Sequence, residues 1–366
     1  MDIRLENVLE YEQPTKYIVK SENYSDDFAL PVLTAGKSFV LGFTDETDGI
    51  CKASESPVII FDDFTADCKY VDFDFKVKSS AMKILHKANT EDNLKYYFYA
   101  MQAIDYTPFS HKRVWISEYS KFKIKSRSVA EQNNIVKELD TVATAIDNTK
   151  QRLNALDELV KSRFIEMFGD IRISSIFPNI ALENFAQIGS SKRVHAADYV
   201  ESGVPFYRSK EIIELGNGQE PSVELFISKK QYESIKKTNG VPCKGDILMS
   251  AVGTIGKMWI VDGRKDFYYK DGNIISIHSD ETNPIYLKEA LANLIDDFKS
   301  ANVAGSAYSA LTIVKLKKMT VPMPPMSIQN EFADFVKLID KSKFIVQKQI
   351  DDLQELLDSK MDEYFG

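Results

Sequence analysis

The chain has 366 residues, of which 44% are hydrophobic and 27% charged, a balance typical of folded proteins and unlike that of disordered ones. It contains no run of about 18 apolar residues, and its N-terminus lacks a basic segment followed by an apolar core, so neither a membrane span nor a secretory signal is predicted. The three cysteines form no CxxC pair, and the four histidines have no metal-binding spacing. These features argue against a disulfide framework and a zinc site, and they favour a cytoplasmic location.

The net charge of −8 is distributed unevenly along the chain. Residues 327–366 contain five basic and nine acidic residues, whereas residues 169–326 contain 19 basic and 18 acidic ones. A protein that coats DNA without sequence preference would be strongly basic. The composition therefore excludes such a coat protein, but it allows a DNA reader with local basic surfaces.

An internal repeat organises the chain. EQNNIVKELDTV, which starts at Glu131, matches IQNEFADFVKLI, which starts at Ile328. LDELVKSRFIEMFG, which ends at Gly169, matches LQELLDSKMDEYFG, which ends at Gly366. Both pairs have the same ungapped offset of 197 residues. Because a constant offset over about 40 positions is hard to explain by chance, we infer an internal duplication.

Both copies of the repeat are predicted to form long helices. Their apolar residues recur at alternating steps of four and three, the a/d pattern of a coiled coil, and Gly169 and Gly366 are expected to end them. Two such helices are expected to pack on each other in antiparallel fashion; burial of each stripe on a separate globular core is the alternative. The predicted seam consists of Ile135, Leu139, Val142, Ile146, Leu153, Leu156 and Val160 in the first helix and Phe332, Val336, Ile339, Val346, Ile350, Leu353 and Leu357 in the second, with Thr149 and Lys343 in the same register.

The segments that precede the two helices have a different composition. They contain short β-type runs, namely SPVIIF from Ser56, KYVDFDFKV from Lys69, KMWIV from Lys257 and NIISIH from Asn273. Each segment also has a helical stretch, NLKYYFYAMQAI in the first and YLKEALANLIDDF in the second, and each closes on a β-like run, FKIK or TVPMPP. The sequence thus predicts an α+β protein in which two globular domains are joined by two long antiparallel coiled-coil helices.

No motif of a catalytic site is complete in this sequence. TAGKS (Thr34–Ser38) resembles the end of a phosphate-binding loop, but the first glycine of that loop would fall at Pro31. TNPIY, from Thr282, lacks the second proline of the amino-methyltransferase motif, and no glycine-rich cofactor loop precedes it. FDDFTAD (Phe61–Asp67) is more typical of a solvated turn than of a metal site. An autonomous methyltransferase, or another enzyme that acts alone, is therefore disfavoured.

Several segments together are specific for one protein family. They are the helix ends SRFIEMFGD and SKMDEYFG, the segment PMPPMSIQNEF before the second long helix, the segments VPFYRSKEI, GDILMSAVGTIGK and DGNIISIH, and, nearer the N-terminus, LPVLTAGKSFVLGFTDE and SPVIIFDDFT. With them the chain resembles, from end to end, the DNA-specificity subunits of type I restriction-modification systems. The segment before the first long helix, FKIKSRSVAEQ, departs from the pattern because it lacks the prolines of PMPPMSIQNEF.

The resemblance implies a non-catalytic protein that reads a bipartite, gapped DNA target. Residues 1–125 and 170–325 would be its two target-recognition domains, each reading one half of the target. Residues 126–169 and 326–366 would be the helical regions that set the spacer and dock two modification subunits. These partners would hold S-adenosylmethionine and methylate adenine, and restriction subunits would complete the complex. ATP and Mg are likewise expected only in partner subunits, so this chain is expected to hold no cofactor or metal.

The candidate DNA-contacting residues are polar or basic side chains in segments that we expect to be loops. Hydroxyl, amide and basic groups can reach base edges, and Lys or Arg can contact phosphates. The candidates are Thr34, Lys37, Ser38, Ser79, Ser80 and Lys83 in the first domain and Arg208, Ser209, Lys210, Ser250, Thr254, Ser306 and Tyr308 in the second.

Basic residues of the first long helix, opposite its seam, are candidates for contact with the modification subunits. They are Lys150, Arg152, Lys161 and Arg163, and an ordinary solvated helix face is the alternative for them. For the whole chain, the alternative function is that of a non-catalytic coiled-coil adaptor whose lobes bind protein or other ligands. No membrane partner is expected in either case.

Overall fold

The computed structural model describes residues 2–36, 38–109, 112–170, 174–302 and 311–366; the side chains of residues 174, 175 and 300–302 lie outside this description. The chain divides into two compact units. Met1–Gln151 and Gln347–Gly366 form the first unit, and Arg152–Val346 forms the second. Each unit combines a globular part with segments of both long helices.

The globular part of the first unit contains, in its described residues, one helix and nine short strands. Their bounds follow from alternating apolar residues that are interrupted by turns. The elements are β1 (Asp2–Arg4), β2 (Leu9–Glu12), β3 (Leu30–Leu33), β4 (Val40–Thr44), β5 (Val58–Asp62), β6 (Cys68–Val71), β7 (Lys76–Val77), β8 (Met82–Lys87), α1 (Leu94–Gln102) and β9 (Lys123–Lys125).

These strands form two main sheets and one separate pair. The first sheet is antiparallel with the order β2-β8-β5-β6, and the second has the order β4-β3-β7, in which β3 and β7 are parallel. β1 pairs with β9 immediately before the first long helix. The predicted run KYVDFDFKV is split between β6 and β7, which belong to different sheets, because the chain turns before Phe75 and this residue bridges to Cys51.

The second unit has more elements outside the long helices. Its predicted strands KMWIV and NIISIH are present, and its predicted helix is longer than the run from which it was inferred. The elements are β10 (Gly169–Asp170), β11 (Ser174–Ser175), β12 (Asn179–Ala181), β13 (Gln187–Gly189), β14 (Tyr199–Val200), β15 (Val204–Tyr207), α3 (Ser209–Gly216), β16 (Phe226–Ile227), α4 (Lys229–Asn239), β17 (Ile247–Ser250), β18 (Met258–Ile260), β19 (Tyr268–Tyr269), β20 (Ile274–His278), α5 (Pro284–Asn302), α6 (Ile313–Lys318) and β21 (Thr320–Pro322).

The sheets of the second unit repeat the plan of the first. One sheet has the order β13-β20-β17-β18, and the other has the order β14-β16-β15-β19, in which β15 and β19 are parallel. β12 pairs with β21, as β1 pairs with β9, and both β1 and β12 run into the tripeptide Leu-Glu-Asn, at Leu5–Asn7 and Leu182–Asn184. The duplication inferred for the long helices therefore includes the globular parts.

The two long helices are α2 (Val129–Phe168) and α7 (Met326–Phe365). Ser128 caps α2: its Oγ accepts from the backbone N–H of Glu131 at 3.4 Å, and its own backbone N–H donates to the Glu131 carboxylate at 2.9 Å. This cap stands where the segment before the second long helix has prolines. After Phe168 the chain leaves the helix at Gly169, whose φ of +85° favours glycine. Among the described residues, no helix is both long and apolar enough to cross a membrane.

The long helices pack on each other in both units. In the first unit Glu138 accepts a hydrogen bond from Tyr364 at 2.6 Å and pairs with Lys360 at 3.4 Å. In the second unit Asp157 pairs with Lys343 at 2.5 Å. Residues later in α2 thus contact residues earlier in α7, so the two helices are antiparallel. The predicted fold class, an α+β protein with two long antiparallel helices and an internal repeat, is confirmed.

Apolar residues of both helices enter the cores of the globular parts. Leu139 lies in a cluster with residues of α1 and of the C-terminal end of α7, and Phe332 lies in a cluster with residues of α5 and of the C-terminal end of α2. Both side chains are fully buried. Burial of each such side chain contributes about 1.5–3 kcal/mol, so the helices stabilise the globular parts as well as each other.

Candidate nucleic-acid interface

In the first unit, the carboxyl ends of β3 and β7 lie side by side. The backbone N–H of Lys78, just after β7, donates to the carbonyl of Leu33, the last residue of β3, at 2.9 Å. The parallel pairing thus brings together segments that are more than 40 residues apart in sequence. We call this part of the molecule, residues 34–39 and 78–80 without Lys37, the first edge.

The first edge presents hydroxyl groups on a tight turn. Thr34 donates from its backbone N–H to the carbonyl of Phe39 at 2.9 Å and from Oγ1 to the carbonyl of Ser38 at 2.8 Å. Ser38 and Ser79 are exposed, and Ser80 is half-buried. Four of the sequence candidates therefore lie together at this edge.

In the second unit, the same geometry recurs at the ends of β15 and β19. The backbone N–H of Lys270, just after β19, donates to the carbonyl of Tyr207, the last residue of β15, at 2.9 Å. We call residues 208–210 with 270 and 271 the second edge. The candidates Arg208, Ser209 and Lys210 thus occupy the place that Thr34 and its neighbours occupy in the first unit.

The second edge is held by ion pairs. Arg208 contacts Glu211 at 2.8 Å and Glu224 at 2.9 Å, and Lys210 contacts Glu224 at 3.1 Å. Hydrogen bonds from Lys210 and Arg208 hold the pKa of the Glu224 carboxyl below its usual range. The two edges are therefore equivalent in position and differ in the residue that follows the first strand of the parallel pair, which is Thr34 after β3 and Arg208 after β15.

Four sequence candidates do not lie in loops, and the expectation that they do is wrong. Ser209 and Lys210 begin α3, whereas Lys83 and Ser250 lie in strands. Lys83 is in β8, 2% exposed, and its Nζ lies 3.3 Å from the carboxylate of Asp63. Ser250 ends β17 and is fully buried. Its Oγ accepts from the Lys257 N–H at 3.0 Å and donates to the Thr254 carbonyl, so it closes the turn before β18. The side chains of Lys83 and Ser250 are occupied by structural partners.

The remaining DNA candidates are placed as follows. Thr254 is exposed in the turn that Ser250 closes. Lys37, Ser306 and Tyr308 lie outside the described residues.

A basic helix surface was missed in the sequence. In α4, whose sequence is KKQYESIKKTN, Lys229, Lys230, Lys236 and Lys237 are exposed, whereas Tyr232 and Ile235 are buried. Among the described residues, none of these four lysines forms an ion pair. The seven-residue spacing of the two Lys-Lys pairs places them on one helix face, a signal that the sequence alone contains. Such a face suits nucleic-acid phosphates.

A polar cleft follows α4 in the second unit. Its cavity volume is about 470 Å³, and its lining includes Ser191, Lys192, Asn239 and His278. The Nδ1 atom of His278 lies 2.7 Å from the Asp246 carboxylate, and this hydrogen bond raises the pKa of His278. In the described ranges, no group of three or more His, Cys, Asp or Glu side chains is arranged to hold a metal ion.

The predicted seam residues face the interior of the helix pair. Each of them is buried or half-buried, and Lys343 and Thr149, which share their register, are half-buried and buried. The fully or nearly fully buried members are Ile135, Leu139, Ile146, Val160, Phe332, Val336, Ile339, Val346 and Ile350.

The candidate partner-binding residues differ in their surroundings. Lys150 and Arg152 are exposed, and Lys161 is exposed with Glu158 at 2.8 Å. Arg163 lies 3.3 Å from Glu331 of α7 and 2.9 Å from Glu166. It therefore bridges the two helices instead of facing away from the seam, and its predicted position was wrong.

This chain is similar to known proteins in sequence and in fold. Residues 177–355 match the family model of the type I restriction modification DNA specificity domain. The specificity subunit of the type I restriction enzyme EcoR124I/EcoR124II of Escherichia coli is 47% identical over 162 residues, which are 41% of this chain and 40% of that protein. A putative type I restriction enzyme specificity subunit of Haemophilus influenzae, S.HindORF215P, is 24% identical over 298 residues, 78% of this chain and 74% of that protein.

Two solved structures have a similar fold over the whole chain. The S subunit of a type I restriction-modification system from M. genitalium covers 100% of this chain and 96% of its own, with 15% identity and a TM-score of 0.55. A chain from a type I R-M system, solved to explain complex assembly and conformational transition, covers 100% and 97%, with 14% identity and a TM-score of 0.54. The resemblance that the sequence motifs indicated is therefore confirmed.

Proposed function

We propose that this protein is the DNA-reading subunit of a type I restriction-modification complex, because residues 177–355 match the family model of the type I restriction modification DNA specificity domain and the whole chain has a fold similar to that of an S subunit. In this proposal, each unit reads one half of a bipartite, gapped target. The partners are double-stranded DNA, two modification subunits and, in the full complex, restriction subunits.

The observation that carries the proposal is the equivalence of the two edges. In both units, the segment after one parallel strand lies beside the segment after the other, joined by the same backbone hydrogen bond, Lys78 to Leu33 or Lys270 to Tyr207. Thr34 follows the first strand of the pair in the first unit, and Arg208 follows it in the second. A bidentate Arg selects guanine, whereas Ser and Thr accept several bases. Two equivalent edges with different donors suit two different half-sites.

Contacts to phosphates would come from surfaces that carry no sequence information. The four exposed lysines of α4 are such a surface in the second unit. Because the whole chain has a net charge of −8, we expect the isolated subunit to bind DNA weakly and with strong salt dependence. Tight binding would then require the partner subunits.

The long helices are the proposed docking surface for the modification subunits. Their seam is used by internal packing, so the exposed residues outside it, including Lys150, Arg152 and Lys161, remain available for partners. Arg163 bridges α2 and α7 through Glu331 instead of facing away from the seam, which makes it a weaker candidate for contact with these subunits. The catalytic steps, with S-adenosylmethionine, ATP and Mg, would take place in the partner subunits.

The proposal is tested by modified-base sequencing of genomic DNA from cells that express the cognate modification subunit with or without this chain. Adenine methylation at one gapped, two-part motif, present only with this chain, is the expected result. An exchange of residues 170–325 for those of a different specificity subunit should then change one half of the motif only. An unchanged methylation pattern, with a modification subunit shown to be active, would instead favour the coiled-coil adaptor.

A further inference from the structure

The first turn of α1 is attached to α2 by a set of hydrogen bonds. The backbone N–H of Asn93, the residue before α1, donates to Oε1 of Gln132 at 2.8 Å, and its Nδ2 donates to Oδ1 of Asn133 at 2.8 Å. Its Oδ1 accepts from the Lys95 N–H at 3.0 Å and caps α1. One asparagine therefore caps the N-terminus of its own helix and binds the start of the long helix.

The same turn of α1 also contacts the other long helix. The ring of Tyr96 lies 5.4 Å from that of Phe365 at the end of α7, and its hydroxyl donates to the carbonyl of Lys125 in β9 at 2.5 Å. One helical turn is thus held by the start of α2 and by the end of α7. We call these contacts, made by Asn93, Tyr96, Gln132, Asn133 and Phe365, the first joint.

An equivalent second joint is present in the second unit. Asn283 donates to Gln329 and to Asn330, both at 2.8 Å, and accepts from the Ile285 N–H at 2.9 Å. Its neighbouring tyrosine, Tyr286, donates to the Pro322 carbonyl at 2.5 Å, and its ring lies 4.8 Å from that of Phe168 at the end of α2. All the contacts of the first joint recur here.

The two glutamines of the joints are buried, and both ends of each side-chain amide are hydrogen-bonded. Gln132 and Gln329 are 2% and 1% exposed, and their Nε2 atoms donate to the carbonyls of Arg127 at 3.1 Å and Pro324 at 2.9 Å. With both ends of each amide satisfied, a change of angle between the globular part and its helix would break buried hydrogen bonds, which is unfavourable.

We propose that the two joints are positioning elements that set the spacer length of the target. The inference rests on the proposed function, in which each unit reads one half-site. Half-site spacing follows from the geometry of the protein that presents the two readers. If the hydrogen bonds of a joint fix the angle between a globular part and its helix, the complex accepts one spacer length. If that angle can vary, the complex accepts several spacer lengths. The joint residues would thereby determine spacer selectivity without contacting DNA.

The exposed asparagine of each joint allows a mild test. Asn133→Ala removes one hydrogen bond from the first joint and leaves the buried Gln132 in place, and Asn330→Ala does the same in the second. Asn133→Asp keeps the acceptor for Asn93. Asn134→Ala is the matched control, because Asn134 is an exposed asparagine one position further along the same helix.

The experiment uses the assembled complex of the full chain with its modification subunits. Methylation is measured on a plasmid library that carries the genomic half-sites of the parent with spacers from three base pairs shorter to three longer. For Asn133→Ala and Asn330→Ala, we expect the preference for the parent spacer over its neighbours to fall about five-fold, the equivalent of one hydrogen bond, with unchanged half-sites. Combining them should have a larger effect, whereas Asn133→Asp and Asn134→Ala should keep the parent profile.

Two results would overturn the inference. One is an unchanged spacer profile in Asn133→Ala, Asn330→Ala and their combination; the other is a uniform loss of methylation at every spacer in both single variants, which is the signature of a purely structural role. If the parent chain itself produces no gapped motif, the proposed function fails, and the inference fails with it. The measurement on the unmutated chain therefore distinguishes failure of the proposed function from failure of the inference about the joints.

Discussion

The joints of the two units have the same residues, whereas the edges have different ones. The joints match in residue type and in distance: the hydrogen bonds that Asn93 and Asn283 donate are all 2.8 Å long. The edges match only in backbone geometry, since Thr34 stands after β3 and Arg208 after β15. Within one molecule, the duplicated frame has thus kept the side chains that attach it to the helices and changed those that it displays. A binding surface can diverge in this way because its side chains support no core.

A buried position breaks the match between the units and has the largest expected effect. The pairing of β5 with β8 and of β17 with β20 places Lys83 where the second unit has Ile275. Lys83→Ile should nevertheless destabilise the first unit by about 3–5 kcal/mol, because it leaves the buried Asp63 carboxylate without its cation.

Tryptophan fluorescence can measure this loss in one unit. The chain has two tryptophans, Trp115 in the first unit and Trp259 in the second, so urea unfolding of a Trp259→Phe background follows the first unit alone. Ile84→Val, at the next position of β8, is the matched control and should cost about 0.5–1.5 kcal/mol. If Lys83→Ile leaves the free energy of unfolding unchanged, the ion pair does not stabilise this unit.

The difference between the edges is tested by Arg208→Ala. If Arg208 reads a base, this variant should lose about 1–3 kcal/mol of discrimination at one position of one half-site, and the other half-site should not change. Modified-base sequencing measures this loss directly, because it shows which bases are accepted at each position of the methylated motif. Arg264→Ala is the control, because Arg264 is an exposed arginine of the same unit that pairs with Asp262 and is not one of the edge residues. Relaxation in both half-sites, or in neither, would contradict the assignment of Arg208.

The basic surface of α4 is found in the second unit, and its expected effect is on salt dependence. Replacement of Lys229, Lys230 and Lys237 by Gln should lower the slope of log K against log salt by about 0.9 for each phosphate that these lysines neutralise in the parent. The methylated motif should stay the same. Lys315, Lys317 and Lys318 of α6, replaced together, give the same change in charge and serve as the control. Equal slopes for the two triple variants would show that α4 does not contact DNA.

The smallest effect concerns pH and a histidine that both units have at the same strand position, His86 in β8 and His278 in β20. Because the pKa of His278 is raised by Asp246, its contribution to stability is complete below the unfolded pKa and is lost as the pH rises through the folded one. In a Trp115→Phe background, the unfolding midpoint of the second unit should fall slightly as the pH rises above 6.5, the ordinary pKa of histidine. His278→Gln should remove this dependence, whereas His195→Gln should not.

The helix pair was predictable from the sequence, and the repeat of the globular parts was not. The helices have a strict heptad pattern and one ungapped offset of 197 residues. The offset is 177 between Leu5 and Leu182 and 190 between Asn93 and Asn283, so an ungapped comparison misses the match. Loops of different length between the strands cause these shifts, and only the strand pairing shows which residues correspond.

The candidate interface was predicted only in part, because the strand pairing that brings its residues together cannot be seen in the sequence. Thr34 and Ser79 were chosen as separate loop residues, and their proximity follows from the parallel pairing of β3 with β7, which no local pattern reveals. Lys83 and Ser250 were misplaced because lysine and serine usually indicate exposed positions, whereas here a buried carboxylate and a turn hold them. The α4 lysines, by contrast, could have been found from their seven-residue spacing.

The packing of residues 347–366 into the first unit has a consequence for biosynthesis. Leu357, Met361 and Phe365 cover apolar residues whose own sequence ends before residue 152. At about 5–20 residues per second, a ribosome needs roughly 10–40 s to make the intervening chain. During that interval the first unit is present without the helix end that completes its core, so its apolar surface is open to chaperones and to other nascent chains. The final turns of α7 thus decide when the first half of the protein is finished.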